Sequence, residues 1–220
     1  MRNGLARSAA AGLIAVAAAI VLVGCRGDVL FQDSFDRANA NWETGEFYEG
    51  IVTYGSGDYV VVSNGGGSMM WGRLTKRSFE DVAVEVQATV LVPPPNNNNS
   101  FGVGCRIQPN NDGYYLRISS DGFYAITRIA DGTPVNLVEW TASPAIQQGA
   151  ATNTIQVTCE GSSLALSVNG QPLASAMDTT FTSGDVALTA TSFEATGTEI
   201  HFDNFVARRP QAEEQQVAGQ

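Results

Sequence analysis

The sequence predicts an all-β fold, an antiparallel two-sheet β-sandwich, from three observations. From Val29 onward the hydrophobic period is two, turn pairs recur between the alternating runs, and no stretch after residue 25 keeps helical spacing for three turns. The clearest runs set Val82, Val84, Val86 and Ala88 against Ala83, Glu85, Gln87 and Thr89, and Tyr114, Leu116 and Ile118 against Tyr115, Arg117 and Ser119. Leu164, Leu166 and Val168 alternate in the same way with Ala165, Ser167 and Asn169. Successive side chains leave a strand on opposite sides, so each run has one face for a core and one for water. Asn111-Asp112-Gly113, Asp121-Gly122, Asp131-Gly132, Glu160-Gly161 and Asn169-Gly170 fall between the runs and tolerate the left-handed backbone of tight hairpins. About a dozen short strands joined in this way need two layers to cover their apolar faces.

The elements before the first strand are of another kind. Arg2 and Arg7 precede an uncharged run from Ala9 to Val23, the order of an export signal over residues 1–24. The closing Leu22-Val23-Gly24-Cys25 resembles the lipobox of bacterial lipoproteins. That resemblance implies cleavage before Cys25, a diacylglycerol on its sulfur and a fatty acyl group such as palmitate on the new amino terminus. Two or more chains anchor a protein stably where one does not. The address implied is the outer face of a bacterial membrane, at the cell surface or in the periplasm, with residues 25–28 as a short tether. A transmembrane helix is the weaker reading, since the apolar run falls short of the ~20 residues needed to span. An ordinary signal peptide with a chance cysteine is the other alternative. Arg26 is not the aspartate that retains many lipoproteins in the inner membrane.

With residues 1–24 removed, 10 Lys plus Arg remain against 22 Asp plus Glu, a formal charge of −12. Such a surface repels nucleic acid and anionic headgroups, so membrane contact is expected through the lipid alone. The remaining length suits one domain, placed at residues 29–207. Cys105 and Cys159 are left as an even pair in an exported chain, which reads as a disulfide, with two buried thiols as the alternative. Two segments break the strand pattern. Pro93-Pro94-Pro95 followed by Asn96 to Asn99 is expected to be an exposed, mobile loop. The tail, residues 208–220, is nearly free of large apolar residues and is expected to be disordered.

Several phrases carry a resemblance in their order and spacing. They are Leu30-Phe31-Gln32-Asp33-Ser34-Phe35, Phe101-Gly102-Val103-Gly104-Cys105-Arg106, Gly113-Tyr114-Tyr115 and Asp121-Gly122-Phe123-Tyr124. Asn153-Thr154-Ile155-Gln156-Val157, Leu166-Ser167-Val168-Asn169-Gly170 and Phe202-Asp203-Asn204-Phe205 complete the set. Together they resemble the concanavalin A-like lectin/glucanase superfamily, especially its bacterial laminin-G-like and keto-disaccharide-hydrolase-like domains. The resemblance implies a jelly roll whose concave sheet binds glycans. It does not imply catalysis, because one fold hosts many functions. It also implies that the first and last strands pair and that a structural calcium lies near the termini, with Asp33, Asp203 and Asn204 as candidate ligands.

The binding constellation expected on the concave face is polar and aromatic. Arg106 and Gln108 alternate with Cys105, and Tyr115 and Arg117 alternate with Tyr114 and Leu116, so these four are expected to share one face. Trp71, Tyr124 and Trp140 would add rings that stack on sugars, although the tryptophans would equally fill a core. Catalytic signatures are poorer. Asp81 and Glu85 lie on one face by alternation but without a glucanase-type carboxylate motif, and a glycosidase needs two carboxylates flanking one bond. Glu194 and Glu199 read as rim residues beside a Gly-rich turn. His201, the only histidine, lacks both a nucleophile elbow and enough companions for zinc, and reads as a surface strand residue. The reading is a lipid-anchored, non-catalytic module for a glycan or cell-surface polymer, with no redox or nucleotide cofactor. A divergent glycoside hydrolase and a structural or adhesion protein are the alternatives.

Overall fold

The computed structural model describes residues 28–211, in which fifteen strands form and no helix does. In chain order they begin β1 (Val29–Asp33), β2 (Gly45–Glu46), β3 (Gly50–Gly55), β4 (Asp58–Ser63) and β5 (Met69–Phe79). There follow β6 (Val82–Val92), β7 (Asn99–Ile107), β8 (Gly113–Ile118), β9 (Phe123–Ala130) and β10 (Thr133–Ala142). The last five are β11 (Thr152–Glu160), β12 (Ser163–Val168), β13 (Gln171–Met177), β14 (Gly184–Ser192) and β15 (Thr198–Arg208). The export signal, Cys25 and residues 212–220 of the tail lie outside the described residues.

All pairings are antiparallel, and the strands divide into two sheets. The larger runs β13-β12-β11-β6-β15-β4-β3-β2, with β1 also on β15. The pairing of first and last strands is as expected: Asp33 stands opposite Phe205 and Val29 opposite Arg208. Arg208, assigned to the tail by sequence, is thus the final rung of a strand. The smaller sheet runs β10-β9-β8-β7-β14-β5. Between β4 and β7 the chain changes sheet at every step, which makes the sandwich a jelly roll rather than two stacked meanders.

The period-two pattern explains the core. Val82, Val84, Val86 and Val90 of β6, with Ile155 and Val157 of β11, face Phe101 and Val103 of β7 and Leu116 and Ile118 of β8, all at most 2% exposed. Asp131-Gly132 and Asn169-Gly170 have φ of 50° and 70°, and 52° and 76°, the mirror-image turn that matches strand twist. Ser56-Gly57, with φ of 59° and 87°, makes a further such hairpin between β3 and β4. One end of the core is aromatic: Trp42 packs on Phe205, Tyr59 and Phe35 with ring centroids 4.9, 5.2 and 5.4 Å apart. Tyr59 crosses from the larger sheet to lie over Gly72 of β5, where an added Cβ would sit 1.8 Å from its hydroxyl. That hydroxyl donates to the Glu43 carbonyl.

The proline-asparagine segment departs from expectation. Pro94 is buried, Asn97 N–H donates to the Pro94 carbonyl at 2.9 Å, and Asn98 reaches Glu194 at 3.0 Å. Asn99 is wholly buried, donating to Thr198 and accepting from Ser120 N–H at 2.8 Å. Asparagine side chains supply the partners that an irregular backbone lacks, so the segment forms a built lip rather than a loose loop.

Cys105 of β7 and Cys159 of β11 form the expected disulfide, which ties the smaller sheet to the larger across the core with Cα atoms 6.8 Å apart. It closes a loop of 54 residues, for which chain entropy gives roughly 4 kcal/mol. The C105S/C159S chain is therefore expected to unfold in urea at a lower midpoint, with roughly 4 kcal/mol less stability. A loss below about 1 kcal/mol would show that the cross-link adds nothing to what packing already restrains.

Candidate functional site

The outward face of the smaller sheet is the one expected to bind, and strand register sets its rows. Ala125, Arg117, Gly102, Thr189 and Trp71 stand opposite one another across β9, β8, β7, β14 and β5. The next row is Thr127, Tyr115, Gly104, Ala187 and Arg73. Glycine, alanine and threonine at the centre let the larger flanking side chains lie over them. Tyr115, Ile107 and Ala187 pack there as a second small core with Met69, Trp71 and Ile129 against it.

That packing changes the roles expected for several residues. Tyr115 is on the expected face but 1% exposed, its hydroxyl donating to the Asn111 carbonyl at 2.6 Å. Burial pushes its pKa up to about 12. It supports the face from beneath instead of contacting a ligand. Arg106 leaves the face altogether. Its φ of 53° makes a β-bulge against β14, so the side chain turns between the sheets while Ile107 takes the outward side. Its guanidinium donates to the carbonyls of Glu80, Gly161 and Phe181 at 2.9, 2.7 and 3.0 Å, and to Asp81 at 3.2 Å. Gln108 follows the bulge and is spent on the carbonyls of Arg106 and Ser183, at 2.9 and 2.7 Å. Tyr124 stands opposite Ile118 on the inner face and donates to the Leu173 carbonyl at 3.1 Å, closing the sandwich edge.

Arg117, Trp140 and Trp71 remain on the outward face, each half-buried. The Arg117 guanidinium lies over the Trp140 ring, 5.5 Å from its centroid. Beside Trp140 opens a cleft of about 360 Å³ lined by Asn98, Asn99, Ser119, Asp121, Phe123, Trp140 and Phe193. The Trp140 and Phe193 rings meet edge to face at 6.3 Å, and Phe123 and Phe193 are 38% and 41% exposed. A second depression of about 390 Å³ lies near Trp71, between Phe47, Met69 and Arg73. A larger one, about 790 Å³, is at the Leu30, Arg77 and Arg209 end. Sequence reasoning missed Asn98, Phe123 and Phe193 as lining residues. Phe123 and Phe193 border turns, and the asparagines sit in the lip, so only the meeting of three distant connections brings them together.

The carboxylates lie elsewhere or are engaged. Asp81 precedes β6 and accepts from Arg106 and from Gly161 N–H, the latter at 2.8 Å. Glu85 is an exposed rung of the larger sheet, paired with Gln156 at 2.7 Å. Asp121 in the cleft accepts from Ser119. Both oxygens of Asp33 are taken within its own turn, by Phe35 N–H at 2.9 Å and Asn39 at 2.7 Å. Asn204 donates to Asp203 and to Gln87, at 2.9 and 3.1 Å. A calcium ion there would need further oxygens from backbone carbonyls or water beside these three residues. Among the described residues no three His, Cys, Asp or Glu side chains are grouped to hold a metal. His201 is clamped by Asp58 at Nδ1, 2.9 Å away, and by Glu199 at Nε2, 2.7 Å away.

Fold and face together define a concanavalin A-like jelly roll, with a cleft opening on the outward face of one sheet. No protein-family model matches the sequence, and no curated protein matches it significantly. Among solved structures the chain is similar to the carbohydrate binding module CBM66 from Bacillus subtilis. That match has 15% identity, covers 76% of this chain and 95% of that one, and has a TM-score of 0.63. It is also similar to Bacillus licheniformis beta-glucanase, at 14% identity, 84% and 100% coverage and a TM-score of 0.62. A third is the catalytic domain of an endo-1,3-beta-glucanase (laminarinase) from Thermotoga petrophila RKU-1, at 9% identity, 84% and 99% coverage and a TM-score of 0.59. At these identities the likeness establishes a shared fold.

The His201 clamp carries a pH signature. Burial disfavours the imidazolium, but hydrogen bonds to Glu199 and Asp58, and their charges, outweigh it and raise the pKa above 6.5. A raised folded pKa means that the stabilisation is complete below the unfolded value and is lost as pH rises through the folded one. H201Q is therefore expected to melt lower than the wild type at about pH 5.5, with the gap narrowing by about pH 9. A gap that is constant across this range would show that the imidazolium is not what the clamp holds.

Proposed function

We propose that this protein is a non-catalytic carbohydrate-binding module of the bacterial cell envelope, held to the outer face of a membrane by lipid on Cys25. The observation that carries the binding reading is the cleft at Trp140. Exposed rings of Phe123 and Phe193, the half-buried Trp140 and the amide of Asn98 meet there at the edge of a rigid sheet. Aromatic faces stack on sugar CH groups while amides and hydroxyls fix orientation, which is the usual make-up of a sugar site. The similarity of fold to a carbohydrate binding module supports this reading. The similarity to two glucanases supports a divergent hydrolase as the second reading. Hydrolysis needs two facing carboxylates, however, and Asp121 is the only one among the residues lining the cleft.

The full chain, purified in detergent with calcium held constant, is to be melted against a panel of neutral and acidic polysaccharides. Each mixture is then assayed for cleaved sugar. A stabilising shift with intact sugar, weakened about tenfold in affinity by W140A, is the expected outcome. Product release would replace binding by hydrolysis. Silence across the panel, with crosslinking to an envelope protein, would favour the adhesion reading.

The anchor rests on the Leu22-Val23-Gly24-Cys25 pattern. A palmitate analogue supplied to expressing bacteria is expected to label the wild type and not C25S, and C25S is expected to leave the membrane fraction. An unlabelled wild type would end the lipoprotein reading.

A further inference from the structure

We propose that the glycan taken by this cleft is acidic, and that Arg117 receives its carboxylate. This deepens the binding reading above and rests on it. Four arginines of the smaller sheet are buried or half-buried, and three have an acid of their own. Arg73 meets Asp185 at 3.4 Å, Arg106 meets Asp81 at 3.2 Å, and Arg128 meets Asp178 at 2.7 Å. Arg117 has no acid partner. Its guanidinium donates to two hydroxyls, Thr127 at 3.0 Å and Ser100 at 3.4 Å, and its Nε is buried with no partner.

A charge held partly out of water without a counter-ion is costly, and such arrangements persist mainly where function needs them. The arrangement is also built. Thr127, which accepts from Arg117, donates to Asn136 at 2.9 Å, and Asn136 donates to Glu139 at 2.9 Å. That chain fixes the guanidinium plane without neutralising it, and Trp140 covers one side. Burial lowers the Arg117 pKa to about 10, so it is still a cation at neutral pH.

A guanidinium is a planar fork that matches a carboxylate with two parallel hydrogen bonds. Trp140 connects Arg117 to the cleft, forming one wall of it while lying against the guanidinium. A sugar ring stacked near Trp140 would bring a ring carboxylate toward Arg117, which is the design of a uronic acid residue. Acids beyond ~8 Å are screened at physiological salt, so the negative groups that a bound carboxylate would meet are Asp121 in the cleft and Glu139 behind Asn136.

The test uses the full chain in detergent and matched ligands differing only in charge. Oligogalacturonate, oligoglucuronate and oligomannuronate are each titrated calorimetrically beside their methyl esters and beside neutral β-glucan oligosaccharides. At least one acid is expected to bind ten or more times tighter than its ester. R117Q is expected to remove that difference while leaving the weaker ester binding in place, and R117K to restore it only in part. Acids and esters binding alike, neutral sugars binding best, or R117Q leaving the acid preference intact would each overturn the inference while the binding reading stands. No binding by any member would overturn both. The acid-to-ester ratio of the wild type is decisive even if R117Q fails to fold.

Discussion

The bulge at Arg106 is the constraint on which the rest of the sandwich turns. One residue in β7 adopts a left-handed φ of 53°, at a cost of order 1–3 kcal/mol, and in exchange its guanidinium enters the gap between the sheets. There it satisfies three carbonyls from three separate connections and takes a carboxylate from Asp81. The neighbouring residue on one side, Cys105, is cross-linked to β11, and the one on the other, Ile107, seals the outer face. Three consecutive residues therefore bind the two sheets, gather the connections at one end, and begin the second small core. A guanidinium is suited to this because its donors point several ways within one plane, where a lysine would offer a point charge.

Ile107, Tyr115 and Ala187 close one half of the outer face, and the cleft opens on the other half. There the face carries Arg117 and Trp140, rimmed by the proline-asparagine lip and by Phe193 beyond β14. The lip is firm because Asn98 and Asn99 are bonded to Glu194, Thr198 and Ser120. Sites built on strands and braced by a second layer of hydrogen bonds hold their geometry better than sites on free loops. A stacked sugar would meet rings and donors that already occupy their places, which limits the entropy lost on binding.

The arginines on this sheet fall into two kinds by their partners. Arg73, Arg106 and Arg128 are neutralised by acids within the fold, whereas Arg117 is positioned by neutral hydroxyls. The same chemistry thus serves cohesion at three points and leaves a cation without an acid partner at a fourth. What distinguishes them is the identity of the partner and not the degree of burial.

Much of this was legible in the chain itself. Alternation placed the core faces of β6, β8 and β12, and Asp131-Gly132 and Asn169-Gly170 marked the β9–β10 and β12–β13 hairpins, because strand period and turn dihedrals are local properties. The cysteine pair and the union of first and last strands also followed expectation. Arg106 and Arg117 carry the same local signature, a polar residue beside a core position, yet they end on opposite sides of the smaller sheet. Only the tertiary structure decides that, since the bulge exists for carbonyls at Glu80, Gly161 and Phe181 that are distant in sequence. The cleft has the same origin: Asn98, Phe123, Trp140 and Phe193 come from four separate parts of the chain. Alternation, turn pairs and an even number of cysteines are local signals, and they pointed to the strands, their buried faces and the cross-link. The partners of each polar side chain, and hence which of them are free for a ligand, were settled only when the two sheets closed.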